Sequence, residues 1–221
     1  MKRILCYGDS NTYGYRPEWM RQNEKISCEC SRFDEKERWT MVLQKLLGQE
    51  YRIIEEGLPG RTTVYDDIIS PFLNGKAMFL PVIMSQSPID LVIVMLGTND
   101  LKTSFFPSEC TLQMAMEEFL KTIKNPYIWE NMKIPKILLI SPPSLRDNME
   151  QSPFYGIYSE ESVRLSKKLG QIYEKVSLNY GCFFMNADDY VKTSDMDCIH
   201  MDVKNHNLLA QFVKEKIEKI L

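Results

Sequence analysis

Residues 3–10 read Arg-Ile-Leu-Cys-Tyr-Gly-Asp-Ser, a short apolar run that stops abruptly at a glycine and two polar side chains. A run of this length bounded by turn residues reads as a buried strand over 3–7, with Gly8, Asp9, Ser10 and Asn11 just beyond its carboxyl end. Four more runs rich in apolar or β-branched residues follow at 51–55, 90–96, 136–140 and 182–185. Between them lie stretches with helical spacing at 34–47, 108–124, 159–179 and 203–221. Trp39, Val42, Leu43, Leu46 and Leu47 form one stripe of the first, and Leu209, Phe212, Val213, Ile217 and Ile220 one stripe of the last. Strands alternating with helices of this length require right-handed crossovers and a parallel sheet covered on both faces. The expected fold is therefore α/β, a three-layer α/β/α sandwich around a five-stranded parallel sheet.

Composition narrows the function without choosing it. The chain has 221 residues, 44% apolar and 26% charged, which suits one domain spanning 1–221 with an ample core. A net charge of −3 with no polybasic run argues against nucleic acid as a partner. The four apolar residues after Arg3 are too few for a signal-peptide core, and no run is long enough to span a membrane, so a cytoplasmic location is expected. Six cysteines without regular spacing are read as free thiols. Cys28 and Cys30 alone do not make a metal site, because no CxxC pair exists and the two histidines are His200 and His206; neither metal nor cofactor is expected.

In an open parallel sheet, ligands bind beyond the carboxyl ends of the strands. There the sequence places Asp9 and Ser10 after the first strand, Gly57 and Gly60 after the second, Gly97 to Asp100 after the third, and Asp197 and His200 after the fifth. A serine hydroxyl needs a base to take its proton, and imidazole is the usual base near neutral pH. His200 lies just ahead of the last helix, whereas His206 falls inside it. Asp197, three residues before His200, is spaced to meet Nδ1 and fix the tautomer. Each residue also has an ordinary reading: Ser10, Asn99 and Asp100 as turn formers, Asp197 as a cap, Gly57 and Gly60 as a tight turn. Their joint placement on one edge favours catalysis by Ser10, His200 and Asp197. The backbone N–H groups of Ser10 and Gly60 and the Asn99 side-chain amide become the candidate oxyanion hole. Asp9, Asn11, Tyr15, Thr98 and Ile199, which flank these positions, are expected to line the substrate pocket.

The same residues resemble the SGNH, or GDSL-type, hydrolases. Gly8, Asp9 and Ser10 match the signature tripeptide, Gly60 the second-block glycine, Gly97 to Asp100 the Gly-x-Asn-Asp block, and Asp197 and His200 the Asp-x-x-His block. The order and separations are those of the family. Similarity to its bacterial aryl esterase and acyltransferase branch runs through Arg38 and Trp39, Glu55 to Leu58, Arg61 to Thr63, Leu73 to Gly75, 90–100 and 141–143. The resemblance implies a flavodoxin-like SGNH fold, hydrolysis of short-chain and aryl esters as the small-molecule substrates, acyl transfer to alcohols, and homo-oligomers. Asn11 stands where that branch often has an apolar residue, Tyr15 where it often has tryptophan, and Gly60 where some members have alanine. The first two imply a more polar acyl pocket. Two other readings stand beside the esterase: a carbohydrate O-deacetylase using the same triad, and a non-catalytic ligand-binding domain, against which the missing phosphate-cradling loop counts.

Overall fold

Alternation along the strands decides which helix covers which face. The computed structural model describes residues 1–18, 31–68, 70–129 and 132–221. Five parallel strands, β1 (Lys2–Gly8), β2 (Tyr51–Gly57), β3 (Leu91–Met95), β4 (Lys136–Ser141) and β5 (Phe183–Asn186), lie in the order β2-β1-β3-β4-β5. Among the described residues seven α-helices accompany them: α1 (Ser10–Tyr13), α2 (Trp39–Leu47), α3 (Gly75–Gln86), α4 (Glu109–Lys124), α5 (Glu160–Ser166), α6 (Leu169–Asn179) and α7 (Val203–Ile220). On β1, Leu5 and Tyr7 face a core shared with Phe79 of α3, Phe119 of α4 and Tyr173 of α6. Ile4 and Cys6 face the opposite core, where Trp39 and Leu43 of α2 meet Leu209, Val213 and Ile217 of α7. Because strand side chains alternate in direction, one strand feeds both cores, and the result is the three-layer α/β/α sandwich.

Three helical expectations differ from the structure. The first helix begins at Trp39 rather than Asp34, because Arg38 is extended (φ −74°, ψ 136°) and sends its guanidinium to Glu55 on β2 in a paired contact, Nε to Oε1 at 2.7 Å and Nη2 to Oε2 at 2.8 Å. The helix over 159–179 is broken after Ser166, whose hydroxyl donates back to Val163 O (2.7 Å) and accepts the Leu145 N–H (3.0 Å). A hydroxyl engaged in this way competes with the helical ladder. Helix α3 was not expected: Pro81 lies inside it, and Met78, Leu80 and Met84 are exposed while Phe79 and Ile83 are buried. Asn74 starts it, its side-chain oxygen accepting the Ala77 N–H at 3.1 Å. Cys28 and Cys30 lie outside the described residues, as does the rest of 19–30 in the long connection after α1.

The sheet order also fixes where a site belongs. The chain runs from β1 out to the edge strand β2 and returns across β1 to β3, so crossovers diverge between β1 and β3. The crevice at such a switch point is open to ligand. Ser10 follows β1 and Asn99 follows β3.

Candidate active site

Ser10 is the first residue of α1, a four-residue helix at the tip of β1. Asp9 caps it, Oδ1 accepting the Asn11 N–H at 3.0 Å, while the Ser10 N–H, at the first helical position, has no acceptor within the helix. Glycine at 57 permits this packing, since a Cβ there would come within 2.1 Å of the Tyr13 backbone nitrogen. Helix α1 thus rests on the end of β2 and turns the Ser10 hydroxyl toward the loop from β5.

That loop is built around Asp197. Its Oδ1 accepts two successive backbone N–H groups, Ile199 at 3.0 Å and His200 at 2.9 Å. Convergence of both on one oxygen folds the chain back, and Cys198, between Asp197 and Ile199, takes the left-handed region at φ 69°. Oδ2 is left to face His200 Nδ1 at 2.6 Å, and His200 Nε2 lies 2.9 Å from Ser10 Oγ. An acceptor on the Nδ1 side places the neutral ring's proton there and leaves the Nε2 lone pair for the serine hydroxyl. The imidazole is also enclosed by rings: Tyr15 lies 4.4 Å away centroid to centroid, and Phe154 5.8 Å away edge-on. His206 is elsewhere. Buried in α7, it accepts the Trp39 N–H at Nδ1 (3.3 Å), capping α2 from outside, and burial, with the nearby His200, lowers its pKa to about 3.

The opposite wall carries amides. Asn99 donates through Nδ2 to Arg61 O at 3.1 Å, and its Oδ1 accepts the Tyr158 hydroxyl at 3.1 Å. The Arg61 carbonyl can only accept, so the amide has one orientation, with the second Nδ2 hydrogen left over at the pocket. Tyr158 stays protonated to donate, because burial pushes its phenol well above the ordinary value. Gly60 lines the same pocket at φ 85°, a conformation that, together with a 2.8 Å approach of a Cβ to Leu73 Cδ1, favours glycine there. Below the wall, burial lifts the Asp100 carboxyl to about 6 against hydrogen bonds from Thr63, and burial likewise lifts Asp9 to about 6 against the Asn11 N–H.

The pocket above Ser10 has a volume of about 200 Å³. Of the five expected lining residues, Tyr15 and Ile199 stand on its wall and Asp9, Asn11 and Thr98 do not. The Asn11 carboxamide turns away to the backbone of 199–201, so it does not make the acyl pocket polar. Pro59, Lys102, Phe154, Ile157 and Tyr158 complete the lining and were not anticipated individually. For the last three the signal is the aperiodic stretch 141–158, long for a loop and carrying Phe154, Ile157 and Tyr158 where solvent-facing polar residues would be usual. Phe79 is core and Phe106 faces solvent, so neither lines the pocket. A larger depression of about 450 Å³ beside Arg146 and Lys167 is walled by ion pairs, Arg146 with Asp195 and Lys167 with Asp147, and its serine, Ser144, donates to the Asp188 carboxylate with no histidine in the lining to act as base. Among the described residues no group of three metal-ligating side chains is gathered, and no helix is long and apolar enough to cross a membrane.

A serine, a histidine and a carboxylate in hydrogen-bonded series at the carboxyl edge of a parallel sheet define a serine hydrolase. The profile of the GDSL-like lipase/acylhydrolase family matches residues 6–206, and the chain belongs to that family. An aryl esterase of M. smegmatis, in its inhibitor-bound form, superposes with a TM-score of 0.89 at 31% identity, with 100% of both chains covered. A carbohydrate acetylesterase from Sinorhizobium meliloti gives 0.89 at 30% identity, again over 100% of both. A lipase/acylhydrolase from Enterococcus faecalis, at 17% identity and a TM-score of 0.68 over 100% of this chain and 97% of its own, shares the fold. No curated protein matches the chain by sequence. The chain is a carboxylic ester hydrolase of the SGNH type.

Proposed function

We infer that residues 1–221 act as one domain that hydrolyses short-chain carboxylic esters, acetyl and aryl esters foremost, through an acyl-enzyme on Ser10. The observation that carries this reading is the series Asp197–His200–Ser10, at 2.6 and 2.9 Å, opening into the small pocket. His200 Nε2 takes the Ser10 proton as Oγ attacks the ester carbonyl, and Asp197 holds the imidazolium that forms. The tetrahedral oxyanion is met by the N–H groups of Ser10 and Gly60 and by the remaining Asn99 hydrogen. His200 then returns its proton to the leaving alkoxide, and water, activated by the same imidazole, releases the acid. Acyl transfer to an alcohol in place of water belongs to this reading, supported by the apolar wall, as do self-association, supported by exposed Ile68, Phe72 and Phe106, and a cytoplasmic location, supported by free thiols at Cys6, Cys110 and Cys182.

The wall chemistry favours aryl and short alkyl esters over acetylated sugars. Tyr15, Pro59, Phe154, Ile157, Tyr158 and Ile199 present carbon, and Lys102 is the one charged side chain, already paired with Asp67 at 3.0 Å. A sugar ring would bring hydroxyls to a wall with few partners for them, and unpaired polar groups are costly to bury. With p-nitrophenyl esters, kcat/KM is expected to peak at roughly two to four acyl carbons, since each further methylene would add about 0.8 kcal/mol only if the pocket could bury it. A maximum at about eight carbons, or acetylated sugars outrunning aryl acetates, would overturn the assignment.

Asn99→Ala is expected to lower kcat on the order of 100-fold with little change in KM, the mark of a group that acts on the transition state. Steady-state kinetics beside a melting curve separates this from a turn-forming role. Normal turnover with a lowered melting temperature would remove Asn99 from the oxyanion hole.

A further inference from the structure

We propose that Asn11 is a positioning residue for His200, tying the helix that carries the nucleophile to the loop that carries the base. The Asn11 side chain is 1% exposed and makes two hydrogen bonds, both to residues adjoining His200: Oδ1 accepts the Met201 N–H at 2.9 Å, and Nδ2 donates to Ile199 O at 3.2 Å. Backbone chemistry fixes the amide orientation, since the Met201 N–H requires an acceptor and the Ile199 carbonyl a donor. Asn11 itself is held by α1 and by Trp39, whose indole Nε1 donates to Asn11 O at 3.2 Å. Its carboxamide therefore brackets the base as a neighbouring strand would. The contacts of the Asp197 carboxylate are internal to the loop and set the tautomer and tilt of the imidazole. Asn11 is the residue next to Ser10, and through it the loop's position is referred to the nucleophile. Its distinct task is the 2.9 Å separation between Oγ and Nε2, across 190 positions of sequence.

This inference rests on His200 acting as the base, and its test separates the two. Asn11→Leu preserves the approximate volume and removes both bonds; Asn11→Asp keeps an acceptor for the Met201 N–H and loses the donor to Ile199 O. With p-nitrophenyl acetate, kcat is expected to fall on the order of 100-fold in Asn11→Leu and about 10-fold in Asn11→Asp, with KM within about threefold, since a misplacement near 1 Å is enough for losses of this size. The solvent deuterium isotope effect on kcat should shrink in step, because proton transfer to a displaced base no longer accompanies attack. A purely structural role would lower the melting temperature and leave the isotope effect of the folded fraction as it was. If either variant, folded by near-UV circular dichroism, keeps kcat within about threefold and its isotope effect, the proposal is overturned. His200→Ala, assayed alongside, tells the failures apart: an active His200→Ala removes the base and Asn11's task with it, whereas an inactive one beside a normal Asn11→Leu removes Asn11's task alone.

Discussion

Replacing Ser10 with alanine is expected to abolish covalent labelling by a fluorophosphonate and to lower kcat by several orders of magnitude, because nucleophile, base and orienting carboxylate act as a unit. Little else should change. The Ser10 side chain contributes one hydrogen bond, to His200 Nε2, while the fold of α1 depends on the Asp9 cap and the backbone bonds of Thr12 and Tyr13 to Asp9 O. Intact-mass spectrometry after labelling and a thermal melt check both halves. Ser10→Ala protein that melts like the parent and still turns over substrate within about tenfold of it would mean that another group attacks the carbonyl.

Asp197→Asn should come close to the same loss, for a different reason. Oδ1 is committed to the N–H groups of Ile199 and His200, so the introduced amide must keep its oxygen there and turn its NH2 toward His200 Nδ1. Nδ1 then becomes an acceptor, the ring proton moves to Nε2, and the nitrogen facing Ser10 has no lone pair to offer. A wrong-tautomer defect of this kind lowers kcat by roughly 10⁴-fold in serine hydrolases without disturbing the geometry. Stopped assays at fixed pH, with imidazole tautomers read by 15N chemical shifts, report both effects. A folded variant with its proton still on Nδ1 and near-parental kcat would show that Asp197 is not the orienting group.

How far the sequence reveals this arrangement depends on what kind of order each part has. The sheet and its principal helices are legible because burial imposes a period: Ile4, Leu5, Cys6 and Tyr7 alternate between two cores, and Leu209, Val213 and Ile217 recur on one helical face. Helix α3 has no such period, since its apolar residues are spread around the axis, and Pro81 argues against a helix altogether. Ser10 and Asn99 could be placed on one edge because each sits within a few residues of a strand end, where chain direction leaves little freedom, and Asp197 and His200 because they fall in the connection from β5 to the start of α7. The remaining wall comes from Phe154, Ile157 and Tyr158, whose directions are set by tertiary contacts such as Thr103 N–H to Ile157 O at 2.9 Å. Asn11 was misjudged for a related reason. Adjacency to Ser10 says that it is near the chemistry, but a helix sends consecutive side chains in different directions, and Asn11 points to backbone rather than to substrate.

The wide separation of Ser10 from His200 along the chain bears on when the enzyme becomes active as it is made. Strand β1 lies between β2 and β3, so it finds both sheet neighbours once β3 has been synthesised. The loop that supplies the base arrives 190 positions after the nucleophile and docks with α7, the last helix, against α2. At about 5–20 residues per second on the ribosome, roughly 10–40 s pass between the two. During that interval much of the sheet can assemble around a serine that has no base, and the growing chain has no competence to attack esters.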